Sequence, residues 1–326
     1  MAACDLVEEK MRAAAEKYTI PNLFIDYRDL LAMKEIDFVS ICLPNYLHAP
    51  VTIDALNAGK HVHCEKPMAM SSVEAKAMQD AKVKNNKKLM IGLNNRFTPQ
   101  AMYVKRYIDE GNLGDIYFAK CGWLRRTGLA PAGWFSDKSR SGGGPLIDLG
   151  VHFIDLVMYF MNYPKVNTVM ARTYSKFIES HELRQLYSYP GVIMEPDLKY
   201  DVEDLATGFM DLSNDAAVSF EVSWASNIEK EKVFYELYGT KGGIKFEDDF
   251  NSKPVLKIFS RISGQIVDIE PKINSKLYDE TEFKHFVNCI RNGMEPSISV
   301  LEQSIEMMKI IESIYQSAKT RKPIMQ

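Results

Sequence analysis

The sequence lacks the features that mark several classes of protein. Its 326 residues include five cysteines, an odd number, and none forms a C-x-x-C pair, which favours reduced thiols in a cytoplasmic protein over disulfides or a structural zinc site. The net charge of −3 comes without a basic run, which argues against a nucleic-acid partner. No apolar run is long enough to span a membrane, and no secretory signal opens the chain.

The first part of the chain alternates strand and helix patterns. A β-branched-rich run at 37–43 predicts a buried parallel strand, residues 47–58 predict a helix that ends at Gly59, and residues 59–64 predict the next strand. Short connections between such elements imply right-handed crossovers. The predicted fold class is therefore α/β, with a Rossmann-like doubly wound parallel sheet.

The pattern changes after about residue 95, where strand-like segments become dominant. They occupy most of 166–269, and the closing helix near 300–318 is placed to pack back on the first domain. We therefore predict an incomplete dinucleotide-binding domain at 1–95 and a substrate and oligomerisation domain at 96–326. The second domain is predicted to be α+β with a large, mainly antiparallel open sheet. Its open face favours a homodimer or homotetramer.

A glycine-rich turn is missing at the start of the first domain. A dinucleotide-binding unit begins with a strand, a G-x-G-x-x-G turn and a helix, and an acidic residue follows about 20 residues later. Asp5 takes the place of that acidic residue at the end of a strand-like segment, and no glycine turn precedes it. We therefore expect the first βα unit to be missing, through a misplaced start codon or a truncated gene.

The tetrapeptide Cys64-Glu65-Lys66-Pro67 lies where a predicted parallel strand ends. Ligands of open α/β sheets bind at the carboxyl ends of the strands. Pro67 disfavours a helical backbone at Lys66, which directs the ammonium group away from the sheet. Alone, this motif is more typical of a solvated charge pair beside a turn proline.

A second group of polar residues lies on the helix predicted for residues 145–162. Because an α-helix turns about 100° per residue, one narrow stripe of this helix carries Asp148, His152, Asp155, Tyr159 and Asn162. Apolar residues flank the stripe on both sides, so the helix is predicted to be mostly buried and its polar groups need partners. A satisfied core network and a stripe that opens to solvent are both compatible with this pattern. The preceding Gly142-Gly143-Gly144 has no phosphate-loop spacing and predicts a close backbone approach.

Asp148 and His152 are the pair on this helix that can perform chemistry. At a separation of four residues, a carboxylate can fix the tautomer of an imidazole and raise its basicity. Such a base can remove the proton of an alcohol. A metal site is disfavoured because His152 is the only nitrogen ligand on the stripe, and a Ser-His-Asp hydrolase is disfavoured because the sequence has no G-x-S-x-G motif.

The chain carries, in order, Pro44-Asn45-x-x-His48, Glu65-Lys66-Pro67, the three glycines and Asp148-x-x-x-His152. With this set it resembles the glucose-fructose oxidoreductase/inositol dehydrogenase (Gfo/Idh/MocA) family over essentially its whole length. The resemblance implies an oxidoreductase that transfers a hydride between a nicotinamide cofactor and a hydroxyl-bearing carbon of a sugar, inositol or related polyol. NAD is expected rather than NADP, because Asp5 would face the 2′-phosphate.

The resemblance also implies roles for individual residues. His152 is expected to take the hydroxyl proton, Asp148 to orient the imidazole, and Lys66 to stabilise the developing alkoxide. Arg96 and Asp155 are expected to bind neighbouring substrate hydroxyls. The expected cofactor-binding positions are Asp5, Leu43, Pro44, Asn45, His48, Glu65, Lys66 and Asn94. No metal ion is expected.

Three other functions stay open at this point. The alternatives are a non-catalytic sugar or nucleotide sensor, an inactive truncated homologue, and a redox glycosidase that uses tightly bound NAD. Substrate choice is expected to depend on loops at 125–140 and 177–200, so the sequence does not name the sugar or polyol.

Overall fold

The strands of the protein form three sheets, of which two are short and parallel and one has nine strands. The computed structural model describes residues 1–130, 133–194 and 199–326. Its strands are β1 Ala2–Cys4, β2 Asn22–Phe24, β3 Phe38–Ile41, β4 His61–Glu65, β5 Leu89–Gly92, β6 Ile116–Leu124, β7 Val166–Tyr174, β8 Leu205–Leu212, β9 Ala217–Ser223, β10 Lys232–Gly239, β11 Gly243–Asp248, β12 Val255–Ile262, β13 Gln265–Ile269 and β14 Ile324–Met325.

Helices connect and cover these sheets. The α-helices are α1 Glu8–Tyr18, α2 Tyr27–Leu31, α3 Asn45–Asn57, α4 Ser72–Asn85, α5 Pro99–Asp109, α6 Lys138–Ser141, α7 Val151–Phe160, α8 His181–Leu186, α9 Glu282–Arg291 and α10 Leu301–Thr320. Single turns of 3₁₀-helix lie at Asn94–Phe97 and Ser275–Tyr278, and a π-helical segment lies at Leu146–Gly150.

The parallel strands near the N-terminus confirm the predicted Rossmann-like fold class. β1 pairs with β2, and β4 lies between β3 and β5, with every pairing parallel. The helix α3 packs on β3 and β4 and ends before Gly59, whose φ of 78° lies in the left-handed region. The predicted N-cap of α4 is also present, because the Ser71 hydroxyl accepts a hydrogen bond from the backbone N–H of Glu74.

A groove of about 1090 Å³ separates the two parallel sheets. It is lined along its length by β1 and β3, which are not hydrogen-bonded to each other. Residues on these two strands, such as Ala3 and Val39, are half-buried, whereas all of β5 is buried. The groove therefore lies where a doubly wound sheet has its first strand.

The nine-stranded sheet of the second domain has the strand order β13-β12-β11-β10-β6-β9-β8-β7-β14. All of its pairings are antiparallel except that of β6 with β9, which confirms the predicted mainly antiparallel sheet. Along β9, Val218, Phe220 and Val222 are buried and alternate with more exposed residues, as expected of a strand with one face on the core. The helices α7 and α10 both contact this sheet.

The long helix α10 connects the second domain to the first. The Ser317 hydroxyl accepts a hydrogen bond from the backbone N–H of Ala171 in β7. On the other side, the Glu312 carboxylate accepts bonds from the backbone N–H and the hydroxyl of Ser72, at the start of α4. These bonds help to fix the carboxyl ends of the parallel strands relative to α7.

One helical stretch, Lys138–Phe160, is long and apolar enough to cross a membrane by length and composition alone. Within the described residues, the apolar part of this stretch is mostly buried inside the fold, as expected of the buried helix that the sequence predicts. The predicted loop at 177–200 contains α8, and it covers a second apolar cluster around Leu149 and Trp224. Parts of the two predicted specificity loops, at 131–132 and 195–198, lie outside the described residues.

Candidate active site

Lys66 lies at the carboxyl end of β4, as its sequence context predicts. Its Nζ donates hydrogen bonds to the backbone oxygen of Asp148 at 2.8 Å and to Oδ1 of the same residue at 2.9 Å. The two side chains are each 18% exposed. The fold therefore brings together the two motifs that the sequence singles out, 82 residues apart, in an ion pair that reaches solvent.

The second oxygen of the Asp148 carboxylate has a different partner. The indole Nε1–H of Trp224, whose side chain is buried, donates to Oδ2 of Asp148 at 2.9 Å. Burial opposes the negative charge, but the bonds from Lys66 and Trp224 hold the pKa of Asp148 below its usual value. Asp148 is therefore a carboxylate with a donor on each oxygen.

His152 is close to this pair but is not bonded to it. Its Nδ1 is buried and has no hydrogen-bond partner among the described residues. Among the described residues, the expected hydrogen bond between Asp148 and His152 is therefore not formed. The Asp148 carboxylate accepts hydrogen bonds from Lys66 and Trp224 instead. Burial, followed by the nearby charges of Lys66 and Arg125, lowers the pKa of His152, while Asp148 acts in the opposite direction. A neutral imidazole results near pH 7, which is the form that accepts a proton.

A π-helical segment explains why the four-residue spacing wrongly predicts a contact between Asp148 and His152. The predicted helix 145–162 is not uniform, because Leu146–Gly150 is π-helical and the backbone N–H of Val151 bonds to the carbonyl of Leu146, five residues earlier. The extra residue in this turn changes the direction of the side chains relative to a regular α-helix. Asp148 and His152 therefore do not stack as residues four apart on an α-helix do.

The glycines before this segment permit a close approach, as predicted. A Cβ on Gly143 would lie 1.9 Å from the Tyr315 hydroxyl, and a Cβ on Gly144 would lie 2.1 Å from the backbone oxygen of Glu203. The Glu203 carboxylate accepts a hydrogen bond from the backbone N–H of Leu146 at the start of the helix. Only glycine leaves room for these neighbours, which fix where the segment that carries Asp148 begins.

The substrate-binding roles expected of Arg96 and Asp155 do not fit their positions. The two side chains are 0% and 2% exposed and form a bidentate pair, with distances of 2.8 Å from Nε to Oδ2 and 2.6 Å from Nη2 to Oδ1. Arg96 also donates to Gln303 and to the backbone oxygen of Ile298, and the Tyr163 hydroxyl donates to Asp155. Burial opposes the charge of Arg96, but Asp155 raises its pKa above the usual value. The pair is enclosed in the core, so direct contact of either side chain with a substrate does not fit this arrangement.

Two of the expected cofactor-binding side chains are also engaged within the protein. Asn45 is buried, and its Nδ2 donates to the backbone oxygen of Ser141 at 2.7 Å. Both ring nitrogens of buried His48 lie 2.7 Å from backbone oxygens, those of Pro67 and Leu43. His48 therefore holds the ends of β3 and β4 together, and direct contact of its ring with a cofactor does not fit this arrangement.

The remaining expected cofactor positions are compatible with a nicotinamide nucleotide. Asp5 and Asn94 are exposed at the ends of β1 and β5, and Leu43 lines the groove beside β3. Glu65 is half-buried beside Lys66; burial and then the neighbouring Glu282 raise its pKa. These groups at the carboxyl ends of parallel strands fit the nucleoside parts of a dinucleotide. Pro44 offers no side-chain donor or acceptor and begins α3.

Several polar and aromatic residues near His152 are not predicted from the sequence. The Trp123 ring lies 6.1 Å from the His152 ring, and its Nε1 donates to Glu231 at 2.8 Å. Arg125 pairs with Glu231 at 3.1 Å and lies over the Trp123 ring. Buried tryptophans usually have a partner for the indole N–H, which is a signal for Trp224, but no spacing in the sequence indicates that this partner is Asp148.

Comparisons with known proteins agree with this geometry. The family model described as "Oxidoreductase family, NAD-binding Rossmann fold" matches residues 1–93, and the model described as "Oxidoreductase family, C-terminal alpha/beta domain" matches residues 105–325. A relative named D-glucoside 3-dehydrogenase, from Escherichia coli (strain K12), is 30% identical over 322 residues, which are 98% of this chain and 88% of that protein.

Two further comparisons concern levoglucosan dehydrogenase. The protein of that name from Pseudarthrobacter phenanthrenivorans is 32% identical over 238 residues, which are 72% of this chain and 61% of that protein. A solved structure titled levoglucosan dehydrogenase in complex with NADH and L-sorbose is 25% identical, with a TM-score of 0.83 and coverage of 99% of this chain and 88% of that chain. The protein is thus an enzyme, an oxidoreductase with an NAD-binding Rossmann domain, and it belongs to the Gfo/Idh/MocA oxidoreductase family.

Proposed function

We propose that the protein oxidises or reduces a hydroxyl-bearing carbon of a sugar, inositol or related polyol, with hydride transfer to or from a nicotinamide cofactor. The observation that carries this proposal is the convergence of Lys66, Asp148 and His152 at the carboxyl end of β4. A cation, a carboxylate that holds it and a neutral imidazole are the groups that the oxidation of an alcohol requires.

Each residue has a defined task in this mechanism. His152 accepts the hydroxyl proton, because its lowered pKa keeps the imidazole neutral near pH 7. Lys66 uses two of its three N–H groups on Asp148 within the described structure, and the third is available to a substrate oxygen on which negative charge develops. Asp148 holds the ammonium group in place. The bound nicotinamide supplies the acceptor or donor of the hydride.

The substrate class is supported by the relatives and by the surroundings of His152. D-glucoside 3-dehydrogenase and levoglucosan dehydrogenase are named for carbohydrate substrates. The Trp123 ring lies beside His152, and it is bordered by Arg125 and Glu231, whose side chains are of the kind that binds hydroxyls. The Tyr189 ring lies on the other side of Arg125. A ring-shaped substrate with several hydroxyls matches this combination of groups.

The proposal is tested by the absorbance of reduced nicotinamide with a panel of glucosides, anhydrosugars, inositols and linear polyols, each offered with NAD and with NADP. We expect turnover of at least one carbohydrate and a loss of about a thousandfold in kcat for His152→Ala. His61→Ala serves as the control, since His61 lies at the opposite end of β4 from Lys66. Near-normal activity of His152→Ala, or no turnover with any member of the panel, would contradict the proposal.

The groove between β1 and β3 is the observation that favours a second candidate function. Among the described residues that line it there is no glycine, and the Asp26 carboxylate caps the N-terminus of α2 at its edge, so a pyrophosphate group lacks its usual glycine-turn donors there. A non-catalytic sugar or nucleotide sensor is therefore the alternative, and NAD titration by protein fluorescence without turnover would favour it. Release of free sugar without net formation of NADH would instead identify a redox glycosidase.

Three finer expectations belong to the same proposal. Asp5 is exposed at the end of β1, where its carboxylate would repel a 2′-phosphate, and this favours NAD over NADP. The antiparallel sheet carries exposed Met170, Phe209 and Phe259, which favours a homodimer or homotetramer. The free cysteines favour the cytoplasm.

A further inference from the structure

The two oxygens of the Asp148 carboxylate accept hydrogen bonds from two different side chains. Oδ1 accepts from the Lys66 ammonium group, Oδ2 accepts from the Trp224 indole, and both distances are 2.9 Å. His152 follows four residues later and has a buried Nδ1 without a partner in the described part of the chain. These two bonds fix the orientation of the carboxylate, because turning it towards the imidazole would break at least one of them.

Trp224 is well suited to hold a carboxylate in one orientation. It directly follows β9, its side chain is 1% exposed, and its backbone N–H bonds to the Asp204 oxygen at 3.0 Å. Its ring belongs to the second apolar cluster, together with Leu129, Ala130, Leu149, Met194, Val202 and Ala225. An indole N–H donates only and does not titrate, so this donor is the same at every pH at which the protein is folded.

We infer that Trp224 is a positioning residue of the active site, whose indole N–H holds the Asp148 carboxylate on Lys66 and away from His152. This inference rests on the proposed function for its kinetic consequence. The hydrogen bond keeps the lysine ammonium in place for the substrate oxygen, and it leaves His152 without a counter-ion, as a neutral base.

The consequence of removing this bond follows from the charged groups that face His152. These are Lys66 at the end of β4, Asp148 in the π-helical segment and Arg125 after β6. The two cations disfavour the imidazolium form, and Asp148 alone favours it. If Oδ2 loses its donor, the carboxylate can turn to His152 and stabilise the imidazolium, and Lys66 then loses part of its anchor.

The kinetic test compares Trp224→Phe, which keeps an aromatic ring but has no N–H, with Tyr235→Phe, which removes a polar group from a buried ring in the nine-stranded sheet. The Tyr235 hydroxyl has no hydrogen-bond partner among the described residues. We expect kcat of Trp224→Phe to fall about tenfold, and the acid limb of its pH–rate profile to move up by about one unit. Tyr235→Phe is expected to keep both. Equal kcat and an unmoved acid limb in Trp224→Phe would overturn the inference.

A second measurement tests the hydrogen bond between Trp224 and Asp148 independently of enzyme activity. The chain has three tryptophans, so a ¹⁵N-indole NMR spectrum of the unmodified protein shows three Nε1–H resonances. One of them is expected to shift and to lose protection from solvent exchange in Asp148→Ala, whereas a different one responds to Glu231→Ala, the partner of Trp123. If no indole resonance responds to Asp148→Ala, the inference fails, even where Trp224→Phe does not fold. If the bond is present but no sugar is turned over, the proposed function fails instead.

Discussion

Two cation–carboxylate pairs join the ends of neighbouring parallel strands to the same helical region, but their surroundings differ. Lys66 follows β4 and pairs with Asp148, and each side chain is 18% exposed. Arg96 follows β5 and pairs with Asp155, and these side chains are 0% and 2% exposed. The motifs in the sequence predict a functional role for both pairs, whereas in the structure only the Lys66–Asp148 pair reaches solvent.

The difference lies in whether a donor is accessible to a ligand. The side chain of Arg96 is 0% exposed and is enclosed by Asp155, Gln303 and a backbone carbonyl, with the Tyr159 ring against it, so its donors are closed off from solvent. Lys66 has one more N–H than its bonds to Asp148 use, and it reaches solvent. A charge pair at a strand end therefore indicates chemistry only where a donor stays unused and accessible.

The largest expected effect comes from breaking the enclosed pair. Arg96→Met leaves the Asp155 carboxylate buried without its cation, and we expect the free energy of unfolding to fall by about 4 kcal/mol. Urea denaturation measures this loss. The double variant Arg96→Met/Asp155→Leu is expected to recover most of it, because it removes the isolated charge. An unchanged unfolding midpoint in Arg96→Met would show that the pair is not a structural element.

An intermediate effect is expected from the imidazole beside the accessible pair. The pKa of His152 is lowered in the folded state from its usual value of about 6.5. At a pH below 6.5, His152 therefore binds more protons in the unfolded chain than in the folded protein. Stability therefore falls as the pH decreases below that value, with a slope from this group of about 1.4 kcal/mol per pH unit.

His152→Asn should remove this contribution, so the difference in stability between variant and wild type is the quantity to measure, by urea denaturation at pH 7 and at pH 5. Parallel pH dependence of the two proteins would mean that the imidazole is not held neutral by its surroundings.

The smallest effect is expected at an ion pair on the surface. Arg12 pairs with Glu8 in α1, and the side chains are 69% and 58% exposed. Solvent and salt screen such a pair, so Arg12→Ala should leave the unfolding midpoint within the error of the measurement. A clear loss of stability in Arg12→Ala would show that side-chain exposure does not predict how much the Arg96–Asp155, Lys66–Asp148 and Arg12–Glu8 pairs contribute to stability.

Local signals in the sequence predict much of the fold and part of the site. The end of α3 at Gly59, the cap at Ser71 and the position of Lys66 after a parallel strand all depend on short stretches of chain, and all are present in the structure. The order of the motifs also indicates that Lys66 and Asp148 meet.

The rest depends on contacts that no local pattern encodes. The α-helical spacing predicts an Asp148–His152 contact, but the π-helical turn at Leu146–Gly150 and the distant Trp224 direct the carboxylate elsewhere. The enclosure of Arg96 needs Ile298 and Gln303, about two hundred residues further along the chain. Burial of this kind is set by tertiary packing and cannot be predicted from the polarity of one helix face.

The most direct test of the account is a paired measurement of kcat and of the unfolding midpoint for Lys66→Met, with a carbohydrate that the wild type turns over. We predict that kcat falls by at least about a hundredfold, because the substrate oxygen loses its donor. The free energy of unfolding should fall less than in Arg96→Met, since Asp148 reaches solvent and Trp224 still donates to it. Retention of near-normal kcat would contradict the assignment of this site, as would a loss of activity explained entirely by unfolding.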